Sequence, residues 1–208
     1  MSRTEFFRRV VRQLNGDPED VLRVAHAYWL AKEVHRTQKR DGGERYFEHC
    51  RRVALLTMDH GCYDADSVII ALLHDALEDS FIPLVVVRQL FGAGVEEAIC
   101  ALSKTETTFY EYDGSVRKIK KDPAKYFEDI KIHPNVVVPV IKCCDRLDNL
   151  RTFGIWPVER KVKYVIETRE YLLPLASEAI GGNHPICKDL KNEVERLASE
   201  FNLHESRA

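Results

Sequence analysis

The stretch Ile69-Ile70-Ala71-Leu72-Leu73-His74-Asp75-Ala76-Leu77-Glu78-Asp79 decides the fold class. Ile69, Leu72, Leu73 and Ala76 recur at i, i+3, i+4 and i+7, the spacing of a helix that turns one apolar stripe to a core. His74, Asp75 and Glu78 fall on the opposite side, together with Ser67 and Ala71. The pattern predicts one helix from about Asp64 to Asp79, with His74 one turn before Glu78 and Asp75 one turn before Asp79. Three carboxylates crowded around one imidazole repel one another, so the polar side calls for a cation or solvent to neutralise it.

Outward from that helix, the punctuation is helical almost throughout. Asp17-Pro18-Glu19-Asp20 combines an N-cap, Pro at the first helical position and early acids, which predicts a helix running to about Gln38. A polar connector with two glycines follows at Arg40–Arg45. Helices are predicted from Tyr46 to His60, stopped by Gly61, from Pro83 to Gly92, and from Val95 to Lys104. Pro123 opens a short one, and another runs from about Val136 to Thr152. Pro157 opens a long one to about Ile180, stopped by Gly181-Gly182, and a C-terminal helix spans about 184–203. Thr105–Lys121 departs from this rhythm, and its Asp113-Gly114 pair suits a two-residue hairpin turn or a loop. The expectation is a single all-α domain over 1–208, with a small loop or hairpin excursion near 105–121.

Composition bounds the function. The chain has 208 residues with 31 Lys+Arg against 33 Asp+Glu, a formal charge of −2 that excludes a generally basic nucleic-acid coat. Hydrophobic residues make up 45%, which excludes wholesale disorder. No apolar run approaches the roughly 20 residues of a membrane span, and Met1–Val11 lacks a signal-peptide core. Six cysteines without a CxxC pair point to reduced thiols. The expectation is a soluble cytoplasmic protein with neither membrane nor nucleic-acid partner.

A second helix complements the first. Val136, Val140, Cys143, Leu147 and Leu150 repeat at steps of four and three and predict its buried stripe, with Cys143 and Cys144 as core thiols. Asp145, Asn149 and Thr152 lie on its other face, and His49 opens an earlier helix as a further candidate donor. Two imidazoles and two carboxylates suit Mn²⁺ or Fe²⁺ better than Mg²⁺, and Zn²⁺ accepts the same donors. Such an ion makes water nucleophilic near neutral pH, and acids outside its shell, Glu78 and Asp79, could take or orient the water's proton. His26, His35, His60, His133, His184 and His204 lack such a setting and read as surface or satisfied core residues. Asp145-Arg146 could also be a plain internal ion pair.

The ordered set resembles the HD-domain phosphohydrolases. Within them it resembles the hydrolase domain of the RelA/SpoT homologues and the small alarmone hydrolases. The resemblance runs from Ala25 to about Ile180 through Arg40, Gly43-Glu44, Tyr46, His49, Leu72-Leu73-His74-Asp75, Glu78-Asp79, Lys142, Asp145-Arg146-Leu147, Asn149, Arg151-Thr152 and Glu167-Thr168. It implies a helical bundle in which His49, His74, Asp75 and Asp145 hold one manganese ion. Glu78 and Asp79 would activate water, Arg40 would pack on the base, and Asn149 and Thr152 would line the nucleoside pocket. The implied reaction removes the 3′-diphosphate of (p)ppGpp or a related alarmone as pyrophosphate, leaving GDP or GTP. The resemblance is to a free-standing hydrolase.

The sequence departs from the family's usual pattern at Asp41, where lysine is common, and at Arg45 and Cys50, where prolines are. Asp148 and Ser103 replace a common histidine and threonine. Arg117, Lys118, Lys120 and Lys121 form either a cationic loop that closes on an anionic ligand or a solvated face. Two other functions fit the same residues: an HD-type phosphatase acting on a nucleotide monoester or NADPH, and a non-catalytic alarmone-binding module.

Overall fold

The computed structural model of the chain describes residues 2–80, 82–110, 112 and 115–203. Helices α1 (Arg3–Gln13), α2 (Pro18–Val34), α3 (Tyr46–Asp59), α4 (Ala65–Leu73) and α5 (Ala76–Asp79) come first, then α6 (Leu84–Phe91) and α7 (Ala93–Leu102). A two-stranded antiparallel ribbon, β1 (Thr105–Tyr110) and β2 (Val116–Lys120), interrupts them. After it come α8 (Pro123–Lys131), α9 (Val137–Thr152), α10 (Val158–Glu167), α11 (Leu173–Ala176) and α12 (Pro185–Glu200). The architecture is the expected all-α bundle with its small excursion. The Asp113-Gly114 turn and His204 lie outside the described residues.

Local signals account for most boundaries. Asp17 accepts the amides of Glu19 and Asp20 at 3.0 Å each, Asp64 accepts that of Ser67 at 2.8 Å, and Asp122 that of Ala124 at 3.0 Å. These acceptors satisfy amides that a helix start leaves unpaired. Gly92 ends α6 at φ +95°, a conformation that side chains with a Cβ rarely adopt. The sequence reading missed α1, which Ser2 caps through the Glu5 amide and which buries Phe6 and Val10 completely.

Three expectations need correction. The helix predicted over Asp64–Asp79 is two helices with a turn at His74–Asp75 between them, Asp75 sitting at φ −99°, ψ −1°. The stretch Leu72–Leu77 contains no glycine or proline to mark that break. The stripes predicted for α4 and α9 are buried apart from Val136, but the burial is not one-sided. Ala65 and Ser67–Leu73 are all buried, as are Val137–Asp148 and Leu150, whereas Val136, assigned to the stripe, is exposed. The two helices are central, α4 packed against α2, α3 and α7, and α9 against α3, α7, α8 and α12. Each fully buried Leu or Ile here contributes about 1.5–3 kcal/mol of transfer free energy. Finally, α10 does not run regularly to Ile180. It passes through wide five-residue turns at Thr168–Leu172 and Ser177–Gly181. At the first of these Thr168 donates its hydroxyl back to Tyr164 O at 2.7 Å, a side-chain bond that perturbs helical geometry.

The ribbon is anchored rather than loose. Phe109 pairs with Arg117, whose guanidinium lies 4.4 Å from the Phe109 ring, and Lys121 N–H donates to Lys104 O at 2.8 Å at the ribbon's root. Lys118 Nζ donates to the carbonyls of Leu77, Glu78 and Ser80 at 2.7, 2.9 and 2.5 Å, capping the C-terminal end of α5. The side chain of Lys121 is largely covered, donating to Cys100 O at 2.8 Å and pairing with Asp129 at 3.0 Å. A solvated face does not describe these two lysines. All six cysteines are free, and Cys143 and Cys144 are buried as expected.

Candidate metal centre

The turn between α4 and α5, the start of α3 and the middle of α9 meet at one point. His49, His74, Asp75 and Asp145 each bring one donor atom there, all within 4.8 Å of one another. His49 Nε2 lies 3.3 Å from Asp145 Oδ1 and 3.7 Å from Asp75 Oδ2. His74 Nε2 lies 3.0 Å from Asp75 Oδ2.

The opposite ring nitrogens fix both tautomers. His74 Nδ1 lies 2.9 Å from Ala71 O, and His49 Nδ1 lies 2.7 Å from Asp148 Oδ2. A carbonyl or carboxylate oxygen only accepts, so both Nδ1 atoms carry the hydrogen and both Nε2 atoms face the centre. His74 Nε2 is buried with no hydrogen-bond partner, an orphan that a cation would satisfy. The donors therefore fit a divalent metal ion with mixed nitrogen and oxygen ligands.

Electrostatics agrees. Burial works against the His49 imidazolium, but bonds to Asp145, Asp148 and Asp75 outweigh it and push its pKa up to about 9. His74 is carried well above its ordinary value against burial, chiefly by the charges of Asp75 and Asp145. Burial would raise both acids, yet His74 and His49 hold Asp75 well below the usual carboxylate range. Lys142, 2.9 Å away, and the same histidines do so for Asp145. Metal ligation takes neutral imidazoles, so a cation binding here would compete with protons for His49 and His74.

The remaining expected residues divide. Glu78 lines the central cleft, about 320 Å³, while Oε1 accepts the Lys104 amide at 2.6 Å and Oε2 stands 3.6 Å from Lys104 Nζ. Asp79 is pushed up to about 6 by burial and then by the charges of Asp75 and Glu78, so it responds to the same field. Arg40 donates to Asn149 Oδ1 and, at 3.3 Å, to Asp148, and Asn149 donates to Asp145 Oδ1 at 2.7 Å. Arg40, Asn149 and Thr152 line a second cavity of about 250 Å³, which shares Tyr46 and Asn149 with the central cleft. A third cavity, about 730 Å³, adjoins on the far side through Lys104, Lys142, Arg146 and Glu167. Asp41, which lines the second cavity, is paired with Arg160 at 2.9 Å, which offsets its charge there.

Sequence reasoning missed several participants. Tyr46 donates to Asp75 at 2.7 Å, Asp148 holds His49, and Lys142 compensates Asp145. Arg146 does not pair with its neighbour. It binds Glu167 at 2.8 Å and lies 3.9 Å from the Tyr164 ring. His35, expected to be on the surface or satisfied in the core, is buried with Nε2 unpartnered. Only the opposite charges of Lys142 and Asp145, a helical i, i+3 pair, offered a local signal.

The HD domain family model matches residues 27–179, most of the chain. The chain belongs to the HD-domain family. This HD domain is 32% identical over 188 residues to guanosine-3′,5′-bis(diphosphate) 3′-pyrophosphohydrolase of Aquifex aeolicus, covering 90% of the chain and 25% of that relative. It is 30% identical over 203 residues to GTP pyrophosphokinase rsh of Brucella melitensis, covering 97% and 25%. Against the bifunctional (p)ppGpp synthase/hydrolase SpoT of Escherichia coli the figures are 31% over 186 residues, covering 88% and 25%. The HD domain thus spans about a quarter of the length of these relatives. A solved structure of a metazoan ortholog of SpoT that hydrolyzes ppGpp superimposes with a TM-score of 0.66 at 19% identity, over 88% of this chain and 97% of that one, a likeness of fold. Among the described residues, no helix of the HD domain is long and apolar enough to cross a membrane.

Proposed function

We propose that the protein is a manganese-dependent hydrolase that removes the 3′-diphosphate of (p)ppGpp or a closely related nucleotide. The observation that carries this reading is the convergence of His49, His74, Asp75 and Asp145, with both imidazoles turned Nε2-inward. The relatives named for ppGpp hydrolysis or synthesis support the substrate class. A divalent ion held by these four residues would polarise a phosphoryl oxygen and lower the pKa of water near neutral pH.

The chain's own residues supply the rest. Glu78 lines the cleft beside the centre, Asp79 feels the charges of Asp75 and Glu78, and either acid is suited to accept the proton of the attacking water. The nucleoside fits the cavity of Arg40, Asn149 and Thr152, where the guanidinium can pack on a base. Lys104, Lys142 and Arg146 place positive charge on the other side, where it would stabilise a departing diphosphate. Water adds to the phosphorus on the 3′ oxygen, and the 3′ O–P bond breaks. The 3′ oxygen leaves as a hydroxyl once protonated, and the diphosphate carries the water's oxygen.

The test is diphosphate release from ppGpp by the purified protein with and without Mn²⁺. The expected result is metal-dependent release that Asp75→Ala abolishes. Folded, manganese-loaded protein that releases no diphosphate overturns the reading.

A further inference from the structure

Asp148 stands outside the four donors, yet it bonds both to His49 of the centre and to Arg40 of the second cavity. It is 3% exposed, and its Oδ2 lies 2.7 Å from His49 Nδ1. Arg52 donates to it twice, from Nε to Oδ1 at 2.6 Å and from Nη2 to Oδ2 at 3.2 Å. Arg40 reaches the same Oδ2 from the nucleoside side at 3.3 Å. A carboxylate this deeply buried is stable only when paired, and two guanidinium groups pair it here. Arg52 is itself held by Glu44 at 2.7 Å, on the turn that carries Arg40. The carbonyl of Asp148 accepts the Thr152 hydroxyl at 2.7 Å, which pins the last turn of α9.

We propose that Asp148 is a positioning residue. It fixes the His49 ring with Nε2 toward the metal, makes that imidazole a stronger ligand, and ties it to Arg40. The inference rests on the metal reading of the four-donor cluster. A carboxylate behind a ligating imidazole sets ring orientation and raises ligand basicity, and its loss generally weakens metal binding about 10–100-fold. A simple ion-pair role for Asp148 predicts something different: removal would lower stability and leave the metal affinity of the folded protein alone.

The experiment is calorimetric titration of metal-free parent, Asp148→Ala and Asp148→Asn with Mn²⁺, each checked for folding by circular dichroism. The expected result is one ion per parent chain and binding about 10–100-fold weaker in Asp148→Ala. Asp148→Asn should fall between them, because its amide oxygen still accepts from His49 Nδ1 without supplying charge. If Asp148→Ala does not fold, the same comparison is read from Asp148→Asn alone, with several-fold weaker binding expected. Manganese affinity within twofold of the parent in a folded variant overturns the proposal, as does a parent that binds no Mn²⁺. Normal metal titrations combined with no diphosphate release from ppGpp would instead sink the proposed reaction and leave the role of Asp148 standing.

Discussion

Tyr46 donates its phenolic hydrogen to Asp75 Oδ2 at 2.7 Å, on the same oxygen that lies 3.0 Å from His74 Nε2. Burial, and then the charge of Asp75, raises the phenol's pKa, so it remains a donor across the working range. Its ring also stacks on His35, with centroids 4.8 Å apart. Tyr46→Phe should keep the stacking and lose the pin on the carboxylate. Mn²⁺ affinity is expected to fall about tenfold, with a stability loss of about 1–3 kcal/mol. Unchanged affinity would mean that Asp75 is oriented by its backbone turn alone.

Glu78→Gln preserves the shape that accepts the Lys104 amide and removes only the basic oxygen. Diphosphate release should drop about 10²–10⁴-fold while one Mn²⁺ still binds. Activity within tenfold of the parent would remove Glu78 from proton transfer.

Asp79 offers a pH test. Burial and then the charges of Asp75 and Glu78 push its carboxyl up to about 6 in the metal-free protein. The folded chain therefore takes up this proton between its raised pKa and the ordinary value of about 3.9. Acidification through that window consequently stabilises the metal-free fold through this group. A divalent cation nearby favours the carboxylate, so zinc loading should move the titration downward. Carboxyl ¹³C shifts measured against pH with and without Zn²⁺ check both points. A metal-free midpoint near 4 would contradict them.

Lys118→Met removes the cation that gathers three carbonyls of α5 and its exit. Stability should fall by about 1–3 kcal/mol, with reduced turnover because Glu78 and Asp79 lose their support. An unaltered Tm together with unaltered turnover would show the contact to be idle.

Leu72→Ala tests the core that carries the centre. Leu72 is fully buried in α4, and truncation should cost about 2–5 kcal/mol. Urea unfolding monitored by circular dichroism measures it, and a cost under 1 kcal/mol would mean that α4 repacks freely.

Much of this was legible because the signals are local. Asp17-Pro18, Asp122-Pro123 and Gly92 mark helix ends by their own backbone preferences. The four donors announced themselves by residue type and by a family resemblance that places them in order. What escaped depends on distant partners. The break at His74–Asp75 serves convergence with α3 and α9, and the helical spacing of Ile69, Leu72, Leu73 and Ala76 runs across it without a glycine or proline to mark it. Asp148 meets His49 across 99 positions of sequence, and Lys118 meets Glu78 across 40. Burial is also a poor guide to the faces of α9, since a helix buried almost all round turns its polar residues to the site rather than to solvent.

The Lys118 clamp has a kinetic corollary. A two-stranded ribbon is marginal by itself in water, and a four-residue helix such as α5 is shorter still than any that holds alone. Each leans on the other through one ammonium group and the Glu78–Lys104 amide bond. Ribbon and acidic turn should therefore open together as one low-stability unit, while α4 and α9 stay closed. Amide exchange in β2 and α5 would then share a single opening free energy, so Glu78 and Asp79 would become exposed while α3 and α9, which carry His49 and Asp145, stay folded.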